Sequence, residues 1–108
     1  MSIGTFESAE TALAYLGKTN DEYGAYKARH QALDKHRKTM RFQCFINAEG
    51  SVSERNAIAE THPDYVKSVD DWENAMADFY ILDAKRKTSE LAIEIYRSQN
   101  SILKRGNI

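Results

Sequence analysis

The sequence predicts an all-α protein: a long antiparallel helical hairpin with a short N-terminal helix and a short connecting helix, assembled into an oligomer. Three observations predict it. Five Gly and one Pro in 108 residues leave too few turn formers for a sheet of many strands. The stretch from Asp64 to Arg105 holds neither Pro nor Gly and is dense in helix formers. Tyr23, Tyr26, His30, Leu33, Arg37, Met40 and Cys44 alternate steps of three and four, a heptad seam.

The organising element is a helix over residues 64–105. His62-Pro63-Asp64 starts it, since proline suits a first helical turn. Asp64, Asp70 and Asp71 favour its positive end, Lys104 and Arg105 its negative end, and Gly106 stops it. At ~100° per residue, Tyr65, Val69, Met76 and Phe79 fall within about 60° of Trp72. Ala84, Leu91, Ile95 and Ile102 gather on a line further round, so the apolar face drifts as an 11-residue repeat would, not a strict heptad. A second apolar group, Leu82, Ile93, Tyr96 and Leu103, lies on another side. Two separated apolar faces call for neighbours on both, and Leu82, Ile93 and Leu103 are read as the oligomer interface.

A short helix is expected over residues 5–17, capped by Thr5 or Ser2 and ended by Gly17. Thr19 and Glu22 make a capping box for a second helix over 19–46. Asn47 to Ser51 is a turn, and Ser51 with Glu54 caps a short helix over 53–61. Helix 19–46 then runs antiparallel to the first two-thirds of helix 64–105, and the N-terminal helix covers the rest. No internal repeat or low-complexity segment is read, and 108 residues suit a single domain.

One cysteine, Cys44, allows no disulfide framework within the chain and suits a reducing, cytoplasmic compartment. The N-terminus lacks the basic and apolar regions of a signal peptide, and no apolar run is long enough to span a membrane.

Charge is segregated although the net value is −1. Residues 18–46 carry seven bases and three acids, residues 47–83 two bases and nine acids, and residues 84–108 six bases and two acids. Two readings follow for the basic clusters. In one, the run Lys35 to Arg41 is neutralised across the hairpin by Asp70, Asp71, Asp78 and Asp83. In the other, Lys35, Arg37, Lys38 and Arg41, with Arg86, Arg97, Lys104 and Arg105, contact phosphates, and Tyr96 stacks on a base.

No spacing of His, Cys or acids matches a metal site, no glycine loop would cradle a phosphate, and no cofactor is expected. Cys44 reads as a buried small apolar residue, and Asp70-Asp71 as helix-dipole groups. Nothing argues for an enzyme.

The Gly-Ser turn followed by Glu54-Arg55-Asn56, with Tyr65, Trp72 and the ending from Tyr96 to Arg105, resembles small all-helical proteins of bacteriophage early regions. In plan the chain is similar to the recombination mediators of T-even-like phages, the UvsY type. The resemblance implies an oligomeric helical hairpin in a host cytoplasm that binds single-stranded DNA and helps load a recombinase or annealing protein. Two alternatives stand beside it. One is a protein that inhibits a host nucleic-acid enzyme or defence complex through Asp70, Asp71 and Asp78. The other is a purely structural helical oligomer.

Overall fold

The computed structural model describes residues 4–106. They form three α-helices, α1 (Phe6–Asn47), α2 (Val52–Thr61) and α3 (Pro63–Gly106), and no strand occurs among them.

Helix α1 starts where expected. The Thr5 hydroxyl accepts the Ser8 N–H at 3.0 Å, meeting one of the donors left open at a helix start; Ser2, the other candidate cap, lies outside the described residues. The expected break at Gly17 is absent, and the two helices expected over 5–46 are one. Gly17 is not among the glycines with positive φ, so it cannot form the left-handed end that a glycine stop requires. Thr19 is not a cap. Its hydroxyl donates to the Tyr15 carbonyl at 2.8 Å, the back-bond of a Thr inside a helix.

The heptad seam explains why the helix continues. Extended back from Tyr23, it passes through Thr19, Leu16, Ala12 and Ala9, and every seam residue from Ala9 to Cys44 is buried or half-buried. Helix α3 obeys the same rule. Tyr65, Trp72, Phe79, Arg86, Ile93 and Asn100 stand seven apart, interleaved with Ser68, Ala75, Leu82, Ser89 and Tyr96, and all are buried or half-buried. The inward face of α3 is therefore a strict heptad, contrary to the 11-residue drift read from its apolar residues. That reading weighs apolar character alone; Ser68, Arg86, Ser89 and Asn100 are polar and still face inward.

Two compact units divide the chain, each drawing on α1 and α3. The terminal unit comprises residues 4–24 and 80–106, and the central unit residues 25–79. In the terminal unit Phe6 meets Tyr96 edge-on at 5.9 Å, while Tyr23 donates its hydroxyl hydrogen bond to Asp83 at 3.0 Å. Partners in α3 thus recede as α1 advances, so the two stretches run antiparallel. The central unit does the same. His30 stacks on Phe79 at 5.7 Å, and Arg37 lies over Trp72.

Small side chains dominate the seam. Ala9, Ala12, Ala59 and Ala75 are buried, as are Ser8, Thr19 and Ser68. Small residues let helix backbones approach closely, but each removes little apolar area from water.

Helix α2 belongs to the central unit. Gly50 turns into it with φ +117, a conformation disfavoured for other residues. The Ser51 hydroxyl accepts the Glu54 N–H at 3.2 Å and donates to the Glu54 carboxylate at 3.0 Å. Helix α1 has no base in its last turn. Arg55 of α2 supplies one, donating to the Phe45 carbonyl at 3.2 Å with its guanidinium 4.5 Å from the Phe45 ring centre, which satisfies the open end of α1. Between α2 and α3, His62 Nδ1 accepts the Asp64 N–H at 3.1 Å, so this histidine caps α3.

Candidate functional site

Each unit contains an arginine laid over an aromatic ring of the opposite helix. In the central unit the Arg37 guanidinium lies 3.9 Å from the centre of the Trp72 ring. In the terminal unit Arg86 lies 4.7 Å from that of Tyr23. Both are cation–π distances.

The two clasps come from related sequence. Leu33-Asp34-Lys35-His36-Arg37-Lys38-Thr39 and Leu82-Asp83-Ala84-Lys85-Arg86-Lys87-Thr88 share Leu, Asp, Arg, Lys and Thr at matching places, offset by 49 residues. The same offset, a whole number of heptads, aligns Lys18 with Lys67, Asp21 with Asp70, Ala28 with Ala77 and Ile46 with Ile95. It also aligns Tyr23 with Trp72. The heptapeptide therefore recurs in helix α1 and helix α3 in the same heptad register, a repeat that the apolar pattern does not reveal. Each clasp takes its arginine from one copy and its ring from the other.

The acids beside the clasps act differently. Asp34 binds its own helix: Arg37 Nη2 is 2.7 Å away and Lys38 Nζ 3.4 Å. Burial pushes the Asp34 carboxyl up, but the hydrogen bonds from Arg37 and Lys38 outweigh it and hold it below its ordinary value. Asp83 is held by Lys87 at 2.8 Å and by the Tyr23 hydroxyl, which together lower its pKa. The same contact with Asp83 raises the Tyr23 phenol and the Lys87 ammonium. Arg86, with Asp83 so engaged, reaches α1. It donates to the Leu16 carbonyl at 2.9 Å, the Thr19 hydroxyl at 2.7 Å and Asn20 Oδ1 at 2.8 Å.

These contacts sort the expected phosphate-binding residues. Arg37, Lys38 and Arg86 are engaged as described. Arg41 donates to Asn56 at 3.1 Å and pairs with Glu60 at 3.0 Å. Arg86 is corrected outright, because its guanidinium is occupied by α1. Lys35, Arg97, Lys104 and Arg105 are exposed and carry no ion pair among the described residues. Tyr96 is half-buried and meets the Phe6 ring edge-to-face.

Neutralisation of the basic run also differs from expectation. Its acids are Asp34 and Glu60, not Asp70, Asp71, Asp78 and Asp83. Asp70 and Asp78 are exposed, and Asp71 pairs with Lys67 at 2.8 Å, which raises the Lys67 ammonium. Asp34 takes Arg37 and Lys38 at i, i+3 and i, i+4, pairs that close without ordering a second helix, while Glu60 of α2 takes Arg41.

Of the expected oligomer contacts, Leu82 is only 7% exposed and packs within its own unit. Its side chain is not available to a second molecule. Ile93 is half-buried, and Leu103 is exposed. A straighter exposed apolar line on α3 is Tyr80, Leu91 and Ile102.

A shallow groove of about 540 Å³ in the terminal unit is lined by Ser8, Thr11, Ala12, Tyr15, Lys85, Thr88, Ser89 and Ala92. It brings together no carboxylate, imidazole or thiol. Among the described residues no group of three or more His, Cys, Asp or Glu is placed to hold a metal ion, and no helix is long and apolar enough to cross a membrane. Comparison of the chain with protein-family models, with curated proteins and with solved structures finds no match.

Proposed function

We propose that the protein is a non-enzymatic, self-associating helical hairpin whose helices pair along the two heptad seams and present apolar outer faces to further copies. One observation carries this reading. Among the described residues twelve large apolar side chains are exposed, including Phe6, Leu13, Phe42, Leu91, Ile102 and Leu103, while no large side chain is fully buried. Scattered apolar residues are ordinary on a surface, but so many against so thin a core mark surface that association would cover.

A second reading, binding of single-stranded nucleic acid, draws on the exposed bases Arg97, Lys104 and Arg105. They crowd the end of α3 with Gln99 and Asn100 beside them, and no acid pairs with them among the described residues. An oligomer would multiply this modest patch.

Sedimentation of the full chain at two salt concentrations, with and without a single-stranded oligonucleotide, tests both readings. Self-association predicts a mass that is a multiple of 12.3 kDa and changes little with salt. A 12.3 kDa species at every concentration would overturn it. Nucleic-acid binding predicts co-sedimentation that weakens steeply as salt rises; no binding at low salt would remove that reading.

A further inference from the structure

We infer that the line Tyr80, Leu91 and Ile102 on α3 is a two-fold contact with a second copy of this chain, centred on Leu91. The inference rests on the self-association proposed above and names its surface.

The three residues are spaced by eleven. Eleven residues advance a helix about 20° beyond three full turns, so the line is nearly straight and spans roughly 33 Å. Tyr80, Leu91 and Ile102 are 54%, 53% and 63% exposed, with Ala84 and Ile95 between them. The line lies away from the heptad seam that faces α1.

The pattern is self-complementary when read antiparallel. A two-fold axis at Leu91 sets Tyr80 against Ile102 of the second copy, Leu91 against its own equivalent, and Ala84 against Ser98. Lys87 and Glu94 flank the line on one side, before and after its centre. The same axis therefore brings Lys87, which also pairs with Asp83 of its own chain at 2.8 Å, within one residue of Glu94 of the second copy, twice. A surface matching itself in both shape and charge under one rotation is what an isologous contact requires. A parallel two-fold would instead put the Lys87 and Glu94 flank of one copy on the far side from that of the other, and neither pair would form.

The repeat supplies a contrast. The positions 49 residues earlier within α1 are Gln31 and Phe42, with Lys35 in place of Ala84. Only the α3 copy carries the full apolar line, so the line is not a by-product of the heptad pattern the two copies share.

Two variants of the full chain test the contact. Leu91→Glu places two carboxylates against each other on the axis. It should weaken association by roughly a hundredfold while leaving helix content unchanged, because more than half of the Leu91 surface faces solvent in its own chain. Leu91→Cys in a Cys44→Ser background should be captured as a dimer by a bismaleimide of about 8 Å reach, matching the spacing of packed helix axes. Leu13→Cys in the same background should not. If the wild type associates but the Leu91→Glu variant does so equally well, or the Leu91→Cys variant is not captured, this contact is overturned and self-association stands. A wild type that remains at 12.3 kDa would overturn both.

Discussion

The two clasps start from the same heptapeptide pattern and end in different bonding. In the terminal unit the ring is Tyr23, whose hydroxyl engages Asp83. Arg86 then makes three hydrogen bonds to α1. In the central unit the ring is Trp72, whose Nε1 is buried with no hydrogen-bond partner among the described residues. Asp34 keeps Arg37, and the clasp there is mainly stacked rings and a guanidinium plane, with His30 near-parallel to both Trp72 and Phe79. The acceptors differ too. Asn20 corresponds to Val69, whose side chain offers no acceptor. A shared acid–arginine spacing thus does not fix its own pairing; the side chain across the seam decides it.

The largest expected effect tests what the central unit has and the terminal unit lacks, the packed α2. Ala59 is 0% exposed. Ala59→Leu should overpack the contact and cost about 1–3 kcal/mol in denaturant unfolding; a neutral result would mean α2 is loosely held.

Next comes the pair of arginines. Arg86→Met strips a donor from Thr19, Leu16 and Asn20 at once and should cost about 1–3 kcal/mol. Arg37→Met mainly loses a cation–π contact, about 0.5–1 kcal/mol. Equal losses, or the reverse order, would break the comparison.

Titration sharpens it further. Asp83 and Asp34 both have lowered pKa values, so each stabilises the fold above the ordinary carboxylate pKa of about 4, and that stability disappears as pH falls below it. Tyr23 and Lys87 have raised values, so their contribution is intact below about pH 10 and is lost as pH rises beyond it. Asp34→Asn should flatten only the acid side of the stability–pH curve, whereas Asp83→Asn should flatten both sides. Melting temperatures measured across the acid and alkaline limbs decide the matter.

The smallest effect is a gain. Gly17 sits inside α1 with nothing within 4 Å of where a Cβ would stand. Gly17→Ala should therefore stabilise by about 0.5–1 kcal/mol, and a loss would mean that α1 bends there.

Much of the fold could be read from residue spacing. Ser51 with Glu54, the turn at Gly50 and the absence of Pro and Gly from 64 to 105 marked their elements correctly. Gly17 and Thr19 misled because a glycine and a threonine in sequence look the same at a helix end and in a helix middle. The seam distinguished them, and it was legible as Ala9, Ala12, Leu16 and Thr19 once small and polar residues were allowed inside. The repeated heptapeptide leaves no mark on the apolar pattern, since most of it is charged. The fate of the basic residues was not legible. Whether Arg86 faces solvent or α1 depends on a tyrosine 63 positions away, and no local pattern encodes that distance.

Trp72 is the sole tryptophan and gives the most direct test that the two clasps are equivalent positions of one repeat. Its emission should shift in Arg37→Met and stay unchanged in Arg86→Met. Exchanging the rings, Trp72→Tyr with Tyr23→Trp, should move the reporter by 49 residues, so that emission now responds to Arg86→Met and ignores Arg37→Met. A reporter that follows the same arginine in both backgrounds, or neither arginine in either, would contradict the account.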